Sequence, residues 1–172
     1  MRTLIITGKF VQDSEFIYPF YRMKEGGHNV IVATQDGKET FGVWGTKIPV
    51  DIATADLDVD DYDLLILPGG ARALEYIRQD QNTLNFISTF YAAGKVIGAI
   101  CHGTQLLISA KVLKGKKASG YYSIKDDVNN AGGQFVDAPA VVDGTIVTSP
   151  HYKYLGEWMK AVFETVEARK QK

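Results

Sequence analysis

Short apolar runs alternate along this chain with stretches of helical period. Leu4-Ile5-Ile6 predicts a first strand. Asp13 or Ser14 is placed to cap a helix beginning at Glu15, with Phe16, Phe20 and Met23 on one face and Gly26-Gly27 to stop it. Val30-Ile31-Val32-Ala33 predicts a second strand. Residues 37–53 show no helical period. Phe41, Val43, Trp44, Ile48 and Val50 alternate there with Gly42, Gly45 and Pro49, which predicts an irregular hairpin. Leu64-Leu65-Ile66-Leu67, ending in Pro68-Gly69-Gly70, suits a strand covered on both faces. A helix is expected over 82–93, with Leu84, Ile87 and Phe90 or Tyr91 inward and Gly94 as its C′ residue. Val96-Ile97-Gly98-Ala99-Ile100 predicts another buried strand, which runs into Cys101-His102-Gly103 and a helix over 104–110. A short helix over 123–131 ends at Gly132-Gly133. Residues 141–147 predict a hairpin turning at Asp143-Gly144. The last helix carries Leu155, Trp158, Met159, Val162, Phe163 and Val166 as one stripe that should dock on the core. The tail Arg169-Lys170-Gln171-Lys172 is expected to be a frayed, solvated end.

Alternation of buried strands with helices argues for an α/β fold with a mainly parallel central sheet between helical layers, a three-layer α/β/α sandwich. No internal repeat, low-complexity stretch or linker interrupts it. At roughly 150 residues per domain, 172 residues suggest one domain covering 1–172. The formal net charge of −1 offers no basic face by composition, so nucleic acid is not expected as a main partner. One cysteine excludes an intramolecular disulfide, and three scattered histidines have no metal-ligand spacing, so neither metal nor cofactor is expected. No apolar run approaches the ~18 residues of a membrane span. The apolar start is too short for the core of a signal peptide. These features predict a reducing, cytoplasmic compartment.

Ligands of open α/β sheets bind beyond the carboxyl ends of the strands, where Pro68-Gly69-Gly70 and Cys101 fall. Ala99-x-Cys101-x-Gly103 places small residues two before and two after the cysteine, the spacing of a nucleophile elbow. Such a turn exposes the sulfur at a helix N-terminus, where backbone N–H groups lower a thiol pKa and can hold an oxyanion. The alternative is a buried core cysteine. His102 is a candidate base for the thiol, or a chance histidine. Glu15, expected on the same sheet edge, could hydrogen-bond the sulfur or could be a first-turn glutamate favoured by the helix dipole. Asp126-Asp127 reads as helix-start charge.

Gly98-Ala99-Ile100-Cys101-His102-Gly103 with Gln105-Leu106-Leu107 resembles the PfpI-type intracellular peptidases. So do Leu67-Pro68-Gly69-Gly70, Ile124-Lys125-Asp126-Asp127, Asn130-Ala131-Gly132, Val142-Asp143-Gly144, Glu15-x-x-Tyr18-Pro19 and Glu25-Gly26-x-His28-x-Val30. The wider superfamily contains the parkinsonism-associated protein deglycase and the class I glutamine amidotransferase domains, with a flavodoxin-like fold. The resemblance implies that Cys101 is the nucleophile, His102 its partner, and Glu15 the carboxyl on the sulfur. It implies that Gly69, Gly70 and His102 frame the oxyanion hole, and that Tyr121 lines the cleft. Glu75 matches a glutamate that reaches the histidine of a neighbouring subunit, so self-association as a dimer or hexamer is expected. Three departures stand out. Thr104 replaces the usual proline, the loop before Glu75 is one residue longer, and Pro150-His151-Tyr152-Lys153-Tyr154-Leu155 replaces Arg-x-Pro-x-Asp-Leu. The last brings in His151 as a candidate pocket residue and second base. The expected activity is cysteine-dependent chemistry on small carbonyl or peptide substrates, as a PfpI-like peptidase or hydrolase or as a glyoxalase III or protein deglycase. The alternative is a redox-sensing or chaperone-like stress protein without turnover.

Overall fold

The computed structural model describes residues 1–170. Seven strands form the central sheet. In chain order they are β1 (Arg2–Ile6), β2 (Asn29–Thr34), then β5 (Ile52–Ala53) after a separate two-strand hairpin of β3 (Thr40–Phe41) and β4 (Lys47–Ile48). They continue with β6 (Leu64–Leu67), β7 (Val96–Ile100) and, after the small pair β8 (Lys117–Ala118) and β9 (Gln134–Phe135), β10 (Val141–Asp143) and β11 (Ile146–Ser149). The spatial order is β10-β11-β7-β6-β1-β2-β5, and every pairing in the central sheet is parallel except β10 with β11. Every residue of β6 and β7 is buried, as continuous apolar runs require when both sheet faces are covered. The covering helices are α1 (Asp13–Glu25), α2 (Ala71–Ile77), α3 (Gln81–Ala92), α4 (Thr104–Ser109), α5 (Lys125–Asn130) and α6 (Leu155–Lys170). The expected α/β architecture with a mainly parallel sheet is what the chain adopts. No helix among the described residues is long and apolar enough to cross a membrane.

The start of α1 differs from expectation. Its cap is Gln12, whose side-chain oxygen accepts from Glu15 N at 2.9 Å. Asp13 instead accepts the backbone N–H groups of Trp44 (2.9 Å) and Thr46 (3.1 Å), tying the β3–β4 hairpin to the helix. The expected irregular hairpin over 37–53 is therefore a two-residue pairing plus β5, which joins the main sheet. α2 was not anticipated. It is only seven residues long, and Gly70, its cap at φ 97°, supplies no side-chain signal. α3 begins after Asp80, whose buried carboxylate accepts from Thr83 N, Thr83 Oγ1 and Thr54 Oγ1. Gly94 follows α3 at φ 69°, as a C′ glycine should.

The α6 stripe buries Trp158, Met159, Val162 and Val166, while Leu155 and Phe163 stay half-buried. Phe163 lies under the Arg22 guanidinium at 4.6 Å. Gly98 makes the docking possible: a Cβ there would stand 3.0 Å from Val162, 3.1 Å from Ile66 and 3.3 Å from Trp158. Arg169 and Lys170 belong to α6 rather than to a frayed tail, and Gln171 and Lys172 lie outside the described residues. Trp158 is 0% exposed and donates to Val147 O at 3.3 Å. Trp158→Ala should therefore cost about 3–5 kcal/mol of stability in denaturant unfolding. A loss below about 1 kcal/mol would show that this ring does not anchor α6.

Candidate functional site

The parallel strands β1, β6 and β7 end at one sheet edge, and the candidate residues gather there. Cys101 follows β7 directly with φ 58°, a left-handed conformation that non-glycine residues adopt at a cost and mostly where surrounding structure enforces it. Gly103 is held so close to the Leu67 and Pro68 carbonyls that any side chain would collide with them. Gly69 faces the same constraint from the other loop: its Cβ would stand 2.7 Å from Ile100 O and 2.8 Å from His102 N. The elbow spacing seen in the sequence thus corresponds to an interlocked pair of loops. Thr104, in the place of a proline, sends its hydroxyl to Ser119 O at 2.9 Å and ties the elbow to the chain after β8.

Cys101 Sγ lies 3.3 Å from His102 Nδ1. The backbone N–H groups of His102 and Gly70 face the sulfur. Glu15 is fully buried, and its Oε2 accepts from Gly69 N at 2.9 Å. Its Oε1 is buried with no partner among the described residues, and the Cys101 side chain is the carboxyl's other neighbour. Burial raises the Glu15 pKa to about 8, with Cys101 and the Gly69 N–H working against it, so the group carries its proton at neutral pH. Burial and the Glu15 carboxylate both push the Cys101 thiol up, while the N–H groups of His102 and Gly70 pull it down. The expected depression of the thiol pKa at a helix N-terminus does not prevail, because desolvation outweighs two N–H groups. Burial also pushes His102 below its ordinary value, leaving a neutral imidazole beside the thiol. A thiol facing a neutral imidazole can pass its proton across as the sulfur attacks.

A cleft of about 450 Å³ opens over the sulfur, lined in part by Gly70, Arg72, Cys101 and His102. Tyr121 forms part of its wall and stacks on His102, with ring centres 4.9 Å apart and planes 29° apart. His151 stacks behind Tyr121 at 5.9 Å and contacts Tyr152 at 4.0 Å. His151 Nδ1 accepts from Lys153 N, so that nitrogen caps a turn, while the ring still lines the cleft. Glu75 is exposed on α2 and is not among the residues lining the cleft of its own chain. Sequence reasoning missed Gln12, Val43, Trp44, Arg72 and Tyr152, which line the same cleft. A tryptophan between two glycines in an irregular segment was the available signal for Trp44. No group of three or more His, Cys, Asp or Glu side chains suited to a metal ion occurs among the described residues.

Deglycase TK1284 of Thermococcus kodakarensis is 45% identical over 161 residues, spanning 93% of this chain and 96% of that protein. Deglycase PfpI of Pyrococcus furiosus is 39% identical over 160 residues, with the same coverage of 93% and 96%. Among solved structures, a two-domain protein from Anabaena variabilis with DJ-1/ThiJ/PfpI-like and ferritin-like domains matches with a TM-score of 0.93 and 31% identity. That match covers 96% of this chain and 48% of the other. The sequence model of the DJ-1/PfpI family covers residues 1–165, and with these relatives it establishes that the chain belongs to the DJ-1/PfpI family.

Proposed function

We propose that this chain is a cysteine-dependent enzyme acting on glyoxal-type carbonyl adducts, as a deglycase or glyoxalase, with Cys101 as nucleophile and His102 as proton carrier. The observation that carries this reading is the Cys101 Sγ to His102 Nδ1 approach of 3.3 Å at a left-handed elbow, with two backbone N–H groups facing the sulfur. The deglycase names of the relatives support the substrate class.

In this mechanism the thiol sulfur bonds to the terminal aldehyde carbon of a free dicarbonyl, or displaces the amine from the tetrahedral terminal carbon of its hemiaminal adduct. The thiol proton passes to His102. With the free dicarbonyl the carbonyl π electrons move to oxygen, where the Gly70 and His102 N–H groups receive the developing charge before the imidazolium proton neutralises it. With the hemiaminal the carbon–sulfur bond forms as the carbon–nitrogen bond breaks, and the amine leaves with a proton from the imidazolium. Both routes give the same hemithioacetal. A proton then moves from the sulfur-bearing carbon to the neighbouring one, with its electron pair shifting through an enediol, and a thioester results. Water cleaves the carbon–sulfur bond, returning the thiol and releasing a 2-hydroxy acid. The net change is addition of one water to the adduct, with no outside oxidant or reductant. Peptide hydrolysis would use the same sulfur, so casein beside methylglyoxal separates the two activities.

The match of Glu75 to a glutamate acting across a subunit interface, together with its exposure, supports a homo-oligomer, dimer or hexamer, in which Glu75 orients the partner's imidazole.

Cys101→Ser should lower methylglyoxal turnover by about a thousandfold or more. Retained turnover in that variant would overturn the assignment of the nucleophile. Glu15→Gln gives a second expectation. The folded carboxyl titrates near 8, above its ordinary value of 4.5. Between those values the native state holds a proton that the unfolded state releases, so this group's stabilisation falls as pH rises. Glu15→Gln removes that slope, and its Tm relative to wild type should climb between about pH 4.5 and about pH 8 and level off above. Its iodoacetamide inflection should also move down, because the carboxylate no longer opposes thiolate formation. A flat Tm difference with an unshifted inflection would mean the two groups are not coupled. For the shared site, mixing inactive Cys101→Ser with Glu75→Gln should restore part of the activity, and full activity of Glu75→Gln alone would refute it.

A further inference from the structure

The cleft over the sulfur is lined by an aromatic residue that the reaction above leaves unused. Trp44 is 70% exposed, yet it lines the Cys101 cleft. The other tryptophan, Trp158, is fully buried. A large exposed ring is normally free to move, but the backbone beneath this one is fixed at several points. The Trp44 N–H is held by the buried Asp13 carboxylate at 2.9 Å, and the Thr46 N–H by the same carboxylate at 3.1 Å. Val43 N donates to Val11 O at 3.0 Å, and Phe10 N donates to Phe41 O at 2.8 Å. Gly42 packs against Asp13 with no room for a Cβ. The hairpin is thus bonded to the segment after β1 and to the first turn of α1.

The hairpin reaches the cleft from the β1 side of Cys101. Tyr121, His151 and Tyr152 reach it from the β11 side, so aromatic rings flank the sulfur from both directions. A three-carbon dicarbonyl, comparable to a few waters at ~30 Å³ each, fills little of a 450 Å³ cleft. Much of the remaining wall is made of the rings of Trp44, Tyr121 and Tyr152 with Val43, beside the polar Gln12, and the cation lining it is the Arg72 guanidinium, stacked 3.9 Å over Phe10. A cation disfavours a cationic body beside it, and flat rings favour a flat neutral one.

We propose that Trp44 is the specificity-determining wall of this cleft, selecting substrates that carry a flat, uncharged body next to the reacting carbonyl over those that lack one. The inference rests on the glyoxal-type reading above. Asp13 is its positioning residue, because it holds the backbone of Trp44 without lining the cleft.

Phenylglyoxal and methylglyoxal differ only in that body. The wild type should prefer phenylglyoxal in kcat/KM, and Trp44→Ala should reduce the preference about tenfold, with Trp44→Phe recovering part of it. The change should fall in KM rather than kcat, and Asp13→Asn should move KM the same way. An unchanged preference in Trp44→Ala overturns the inference. Binding without turnover is read in Cys101→Ser with mandelate and lactate, the hydroxy acids corresponding to the two dicarbonyls. Trp44 and Trp158 are the two tryptophans of the chain, so acrylamide-accessible fluorescence reports Trp44. Mandelate should shield it at concentrations where lactate does not, and equal shielding or none overturns the inference. If the wild type turns over neither dicarbonyl while mandelate still shields Trp44, the glyoxal-type reading fails and the wall stands.

Discussion

Two loops at the carboxyl ends of β6 and β7 touch where neither can carry a side chain. Gly69 lies against Ile100 O and His102 N, and Gly103 lies against the carbonyls of Leu67 and Pro68. This contact fixes the left-handed turn at Cys101, because β7 is paired on both sides, to β6 and β11, and the chain beyond it has nowhere else to go. It also fixes what faces the sulfur. The Gly70 N–H comes from the β6 loop and the His102 N–H from the elbow itself, so neither donor can drift without separating the loops. The Glu15 carboxyl is bonded to Gly69 N and thereby joins α1 to the same junction. Strain of this kind, of order 1–3 kcal/mol per residue, persists only where the surroundings over-determine it.

Burial drives the electrostatics in one direction for every titratable group at the junction. It raises Glu15, raises the Cys101 thiol and lowers His102, so each group is pushed toward its uncharged form. The site therefore rests without charge. Under the proposed mechanism, charge appears only when the thiol proton crosses to His102, and the backbone N–H groups of His102 and Gly70 are already in place to receive it. The two N–H groups that reach the sulfur, from His102 in the elbow and Gly70 in the β6 loop, do not offset that desolvation.

Much of this was legible in the chain. The Leu64–Leu67 and Val96–Ile100 runs marked the buried parallel strands, and the small residues flanking Cys101 marked the elbow. Hidden features were those set by contacts between distant segments. Asp13 looked like a helix cap, because a carboxylate before a helical run usually is one. Its N–H donors instead come from residues 44 and 46, and Gln12 takes the cap. α2 was hidden because a glycine cap and two turns leave little periodicity. The direction of the thiol's shift is not legible in the sequence, since spacing shows which N–H groups are near but not how deeply the sulfur is buried. Cleft residues such as Trp44 and Tyr152 carry no motif and meet only through the fold.

Asp13 and Glu15 show how little separates two opposite roles. Both are buried carboxyls in the first turn of α1, two residues apart. Burial opposes ionisation in each. Asp13 nevertheless sits below the usual carboxylate range, because hydrogen bonds from Thr46 and from the Trp44 backbone reach it. Glu15 receives one backbone N–H, and its second oxygen has no such donor among the described residues, so desolvation prevails and it holds its proton near neutral pH. Asp13 has more donors and a less desolvated carboxylate than Glu15, and the two differences together divide them. A permanently charged Asp13 anchors the outer hairpin, where a fixed backbone is needed. A neutral Glu15 borders the sulfur, where a fixed negative charge would oppose the attacking thiolate. Exchanging the two environments would loosen the hairpin and place a fixed negative charge beside the Cys101 sulfur at once, and a single helical turn keeps them apart.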